Sequence, residues 1–160
     1  MKKILDIVSN SIEKEEEFNP KTIEDSREKI QRAIVQRRGQ PQFRQELLRA
    51  YNNKCAITGF DAEQSLEAAH IYPYKGDDTN KVENGLLLRA DIHTLFDLYL
   101  IAVEPETKVV VIAPELMKTQ YKKLNTKKLN VPKDLRQHPS LEALEWHYKQ
   151  CSWINQINEP

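Results

Sequence analysis

Cysteine is nearly missing from this chain. Its 160 residues hold only Cys55 and Cys151, too few for a secreted disulfide scaffold. No apolar run approaches the length that spans a bilayer, so no membrane contact is expected. Charge of one sign is not in excess either: 24 Lys and Arg balance 24 Asp and Glu. That neutrality argues against a globally basic nucleic-acid binder but leaves room for a local basic face, because phosphate contact depends on where charge sits. No internal repeat is visible. The opening residues, MKKILDIVSNSIEKEEE, have lysines before apolar residues as a signal peptide would. Asp6 breaks the apolar part, acids follow at once, and no small-residue cleavage site appears, so a soluble, cytoplasmic protein is expected.

The length suits one domain with a real core plus an accessory segment. We place the division at 38/39: an N-terminal helical arm over 1–38 and a main domain over 39–160, with its core at about 54–100. Residues 2–17 carry Leu5, Val8 and Ile12 on one helical face. Asn19-Pro20 interrupts and can start the next helix. Residues 21–38 form a mixed-charge helix ending in Gln36-Arg37-Arg38, either a solvated face or a contact to DNA phosphates. Gly39-Gln40-Pro41 stops it. A helix over 42–52 then places Phe43, Leu47 and Ala50 or Tyr51 in one stripe.

Lys54–Thr58 reads as a short strand, Gly59 as a turn, and Ser65–Tyr72 as the partner strand of a hairpin. Cys55, in that apolar strand pattern, reads as a buried free thiol. Residues 75–80 are a loop by composition. After Asn84-Gly85, the run LLLRADIHTLFDLYLI has helical spacing at Leu88, Ile92, Leu95, Phe96 and Tyr99. Leu100–Glu104 and Lys108–Ala113 look like two further strands. Pro114 begins a helix, 122–139 is expected to be mostly irregular, and Ser140 caps a last helix.

The chemistry concentrates between Leu66 and Leu98. His70 ends an apolar run, Asn84 follows fourteen residues later, and His93 nine residues after that. Asp97 lies one helical turn past His93. At this i, i+4 spacing two Cβ atoms sit roughly 5–6 Å apart, close enough to share one cation directly or through water. The pair can equally be structural: a satisfied helical histidine and a bracing aspartate. Phosphodiester hydrolysis needs an activated water, a cation on the phosphate and help for the leaving oxygen. A neutral imidazole, with an ordinary pKa of about 6.5, is a suitable base. A divalent metal neutralises the developing charge.

The pieces Cys55–Gly59, Leu66–Tyr74 and Asn84–Asp97 together resemble the HNH endonuclease family. The likeness is greatest to its restriction-endonuclease-like branch, with the pattern CAITG, LEAAHI and NGLLLRADIHTLFD, and it extends over roughly Arg37 to Ala113. The resemblance implies an α+β fold: a ββα-metal core with N-terminal helices, an extra β-hairpin and a C-terminal helix. It implies His70 as the general base, Asn84 as the residue that braces the loop and orients the base, and His93 as a metal ligand. Asp97 falls where some members place another helical ligand. Many members put a second ligand directly before the base, where this chain has Ala69. Glu67 could reach in, although strand alternation turns it away from His70. The CxxC pairs of zinc-bearing relatives are absent, so no structural zinc is expected. One divalent ion is, magnesium or manganese before zinc or nickel.

DNA is the expected partner. Arg89, between Asn84 and His93, is a DNA contact or a plain salt bridge. Lys75, Arg37, Arg38 and Arg44 are backbone-gripping candidates or ordinary surface charge. A homodimer through the N-terminal helices is a further expectation. His138 and His147 read as structural. The functional expectation is a metal-dependent DNA endonuclease, restriction- or defence-related. The alternative is a catalytically silent DNA-binding or regulatory module of the same fold.

Overall fold

Leu86, Leu87 and Leu88 are each fully buried, and that burial decides the centre of the fold. We describe residues 19–21 and 26–157 of a computed structural model. The chain divides into two compact units, Met1–Gln31 and Arg32–Pro160. Its order is α1 (Arg27–Arg37), α2 (Pro41–Ala50), β1 (Leu66–His70), β2 (Gly85–Arg89), α3 (Ala90–Asp97), β3 (Ile101–Val103), β4 (Val110–Ile112), α4 (Leu141–Gln150) and the short α5 (Ile154–Ile157). The architecture is α+β: a ββα core of β1, β2 and α3, helices before it, the extra hairpin β3–β4, and the C-terminal α4. The amphipathic helix expected over 2–17 lies outside the described residues.

The order strand, strand, helix matches expectation, but its members do not. The expected strand Lys54–Thr58 is a knuckle of turns, and the partner of β1 is Gly85–Arg89, where a helix was expected to begin. Two causes explain the difference. The strands β1 and β2 pair antiparallel, with Glu67 opposite Leu88 and His70 opposite Gly85. Both faces of this ribbon are covered, so β2 is apolar from Gly85 to Leu88 and its period of two is invisible. The knuckle closes on itself. Cys55 N–H donates to Phe60 O at 2.8 Å, and Gly59 N–H donates to Cys55 O at 2.9 Å. The buried Cys55 Sγ accepts N–H groups from Thr58 and Arg89, tying the knuckle to the end of β2. The helix expected at Pro114 is likewise only a pair of 3-10 turns, Pro114–Lys118 and Gln120–Leu124.

Register places Leu66, Ala68 and His70 on one face of β1 and Glu67 and Ala69 on the other. The first face meets α2. Gln40 caps that helix, its Oε1 accepting Phe43 N–H at 2.6 Å, and Pro41 fits the first turn. Phe43 and Leu47 press so closely on β2 that a Cβ at Gly85 would lie 2.7 Å from Phe43 Cζ. Gly39, at φ +102°, lets the chain turn from α1 while passing Ala68, where a Cβ would approach within 2.8 Å.

The second face meets α3. The end of that helix follows a Schellman pattern: Leu100 N–H reaches Leu95 O and Tyr99 N–H reaches Phe96 O. Tyr99 occupies the left-handed position at φ 58°, uncommon for a bulky residue. Trp153 Nε1–H donates to its carbonyl at 2.6 Å and helps hold it there. Asp97, the last residue of α3, is thereby fixed at a rigid helix terminus.

Ser140 Oγ accepts Ala143 N–H and starts α4, as expected. From α4, His147 lays its ring on Phe96 at 3.6 Å between centroids and 5° between planes. Its Nε2–H donates to Phe96 O at 2.9 Å, and burial lowers its pKa to about 4. Its role is packing α4 onto α3. His138 is similarly engaged, donating from Nε2 to Pro132 O.

Candidate active site

His70 and His93 line one cleft of about 770 Å³, together with Arg37, Asp97, Tyr74 and His147. His70 comes from the end of β1, His93 from the middle of α3 and Arg37 from the end of α1. Two elements that sequence spacing alone cannot place together therefore present their imidazoles to the same space.

His93 is buried and held on both sides. Glu67 Oε2 lies 2.6 Å from its Nδ1. Because a carboxylate only accepts, Nδ1–H donates, and the lone pair of the neutral ring falls on Nε2. Asp97 Oδ2 stands 3.4 Å from that Nε2. This is the arrangement of a metal-ligating histidine oriented by a carboxylate behind it. Glu67 does face away from His70, as strand alternation requires, and the same alternation aims it at His93. The sequence signal was its place on the face of Ala69.

Arg37 completes the cluster. Its Nε lies 3.3 Å from Glu67 Oε2 and its Nη1 3.0 Å from Asp97 Oδ2. One guanidinium thus counters both carboxylates that flank His93. Among the described residues, no three His, Cys, Asp or Glu side chains are grouped to hold a metal ion. The donor set fits a two-ligand site, in which His93 Nε2 and Asp97 are the residues that would hold an ion. Magnesium is commonly held with this few protein ligands.

His70 is held differently. Phe43 stacks on its ring at 4.6 Å and 18°, and Tyr74 approaches at 5.7 Å. Its Nε2 lies 2.8 Å from Asn80 Oδ1. Asn80 was not a candidate in the sequence. Asn84 was, and it braces the loop without touching His70. Its Oδ1 accepts Tyr72 N–H at 2.9 Å, and its Nδ2 donates to Tyr72 O and Thr79 O.

Of the five basic candidates, Arg37 alone lines the cleft. Arg89 binds Asp91 through Nε at 2.6 Å and Nη2 at 2.9 Å, and covers the Phe60 ring. The Arg89 guanidinium, with help from Tyr121, holds the Asp91 carboxyl below the usual carboxylate range. Arg44 donates to the Leu66 and Glu63 carbonyls, and Arg38 to Gln64 O. Lys75 is exposed, with Nζ 3.0 Å from Tyr72 Oη. Cys55 and Cys151 are both buried, and burial pushes the Cys151 thiol up to about 12.

Residues 55–104 match the family model described as HNH endonuclease, a span that runs from the knuckle through β1, β2 and α3 to the end of β3. No curated protein matches the chain. Among solved structures, a modification dependent TagI restriction endonuclease is similar at 18% identity and a TM-score of 0.48, covering 67% of this chain. The aligned part is 36% of that structure's own length.

Proposed function

From the match of residues 55–104 to the HNH endonuclease family model, we propose that this protein is a metal-dependent DNA endonuclease in restriction or defence. The observation that carries the reading is the shared cleft, with His70 on one wall and the His93–Asp97 pair on another. His70 is the base that takes a proton from the attacking water. His93 Nε2 and Asp97 are the residues that would hold one divalent ion, with magnesium or manganese favoured. Such an ion supplies charge neutralisation on the phosphate and a bound water for the leaving oxygen. Glu67 keeps the His93 ring in the tautomer and orientation that ligation needs. Arg37 and the exposed Lys75 are the cations best placed to meet backbone phosphates. Arg38, Arg44 and Arg89 serve the fold first, through the contacts described above. A homodimer through the N-terminal helices is supported by Ile34 and Val35, which stand 49% and 61% exposed on α1.

The test is plasmid DNA with a panel of divalent ions, using the native chain and His70→Ala. Metal-dependent nicking should fall by about 10²–10⁴ in the variant, the usual contribution of a general base, with melting temperature unchanged. Unchanged cleavage by His70→Ala removes His70 from the mechanism.

A second reading has one specific support. The residue before His70 is the buried Ala69, and no third metal donor joins His93 and Asp97 among the described residues. A catalytically silent DNA-binding module would retain DNA on a gel and give no product with any divalent ion.

A further inference from the structure

The ring of His70 has two nitrogens, and catalysis needs a chosen one. Phe43 fixes the plane of the ring by stacking. Stacking does not choose between tautomers, since either nitrogen can carry the proton in the same plane. The contact that does choose is Asn80 Oδ1, 2.8 Å from Nε2. An amide oxygen accepts only, so Nε2 carries the hydrogen and Nδ1 carries the lone pair. Resting on the nuclease reading of this cleft, we infer that Asn80 is a positioning residue that makes His70 Nδ1 the basic atom. Asn84 does not touch the ring and reaches it through the loop that it clamps, the loop that carries Asn80.

The route from Asn84 is short. Asn84 Nδ2 donates to Thr79 O at 3.0 Å, the carbonyl just before Asn80. Thr79 Oγ1 donates to Gly76 O at 2.6 Å, and Asn80 N–H donates to Asp77 O at 3.0 Å. These bonds close the single turn Asp77–Thr79 and set the direction in which Asn80 leaves it. The loop between β1 and β2 is thereby clamped at both ends, at Tyr72 and at Thr79. Asn84 supplies the clamp and Asn80 supplies the contact to the ring.

In the reaction, a water O–H bond breaks and its proton passes to Nδ1. The water oxygen bonds phosphorus as the ester P–O bond opens, and the leaving oxygen takes a proton from solvent. The ring is then a cation with two N–H groups. The Asn80 carbonyl already faces the positive Nε2–H and stabilises it without rearrangement, as a preorganised dipole should.

The experiment uses the 15N-labelled full chain, read by long-range proton–nitrogen correlation about two pH units above the ordinary imidazole value of about 6.5. His70→Gln assigns the signals. The native ring should show a single Nε2–H tautomer. Asn80→Ala should give a mixture of tautomers. Asn80→Asp, which still offers an acceptor, should keep Nε2–H. In nicking assays Asn80→Ala should lose about tenfold or more in kcat, up to the whole contribution of a general base, with KM for DNA unchanged. A native Nδ1–H ring, or a tautomer unaltered in Asn80→Ala, overturns the assignment. Tautomers that behave as expected in a native chain that cuts no DNA overturn the nuclease reading instead, and leave the hold of Asn80 on the ring in place.

Discussion

Arg37 Nη1 sits 3.0 Å from Asp97 Oδ2, the oxygen that also faces His93 Nε2 at 3.4 Å. The guanidinium therefore competes with any metal ion for the same carboxylate. Asp97 and Arg37 are each 42% exposed at the side chain, so water weakens their attraction and the pair is worth no more than about 1 kcal/mol. Arg37→Met should then bind Mn²⁺ roughly two- to fivefold more tightly in the absence of DNA, measured by calorimetry. The same variant should cut DNA more slowly, because the cation proposed to meet the phosphate is gone. Weaker Mn²⁺ binding in Arg37→Met would show that the arginine supports the site and does not compete for it.

Glu67 is 6% exposed, and its carboxylate is the partner that fixes the His93 ring. Outer partners of this kind typically carry a 10- to 100-fold share of metal affinity. Glu67→Gln preserves the shape but offers a weaker acceptor and removes the charge. Mn²⁺ affinity should fall by roughly tenfold or more, while His70 and its contacts with Phe43 and Asn80 are untouched. An unchanged dissociation constant would reduce Glu67 to a partner of Arg37.

The order His70, Asn84, His93 was legible as a resemblance, and the structure brings His70 and His93 to one cleft. The elements that hold them were less so. Gly85–Leu88 is buried on both faces, and three consecutive leucines have no period to separate strand from helix. Cys55–Ile57 is as buried as a strand but folds as turns: Cys55 N–H goes to Phe60 O, Ala56 N–H goes to Leu87 O, and the Cys55 thiol takes the N–H of Thr58. Asn80 was hidden for a different reason. Its reach to His70 depends on the direction of one 3-10 turn, which residue types in a polar loop do not encode. The arginines show the converse. Composition made five cations available to DNA, and the fold uses Arg38, Arg44 and Arg89 in bonds to its own carbonyls and to Asp91.

Gly85 marks where α2 meets the strand pair. A Cβ there would lie 2.7 Å from Phe43 Cζ and 2.9 Å from both Leu47 methyl carbons. Phe43 and Leu47 are 1% and 0% exposed, so neither has free space to retreat into. Gly85→Ala should destabilise the fold by about 1–3 kcal/mol, the usual cost of overpacking. Phe43 also stacks on His70, so the strain should reach the proposed base. Urea unfolding gives the energy, and nicking by the residual folded protein should fall in parallel. A variant as stable as the native chain would mean that α2 can shift without cost.

His147 makes the fold sensitive to acid in a defined window. Its ring is packed on Phe96, and burial lowers its pKa from 6.5 to about 4. Below pH 6.5 the unfolded chain takes up this proton, and the folded chain resists it down to about 4. The unfolded state thus binds more protons in that interval, and stability falls as pH falls through it. The full loss corresponds to about 3 kcal/mol at 1.36 kcal/mol per pH unit. Asp91 adds a loss only at lower pH, because its carboxyl lies below the usual range. Replacing His147 by Gln, which can still donate to the Phe96 carbonyl, should flatten unfolding free energy against pH between about 6.5 and 4. Chemical denaturation at a series of pH values measures this directly. An equally steep slope in the variant would assign the acid sensitivity to another group.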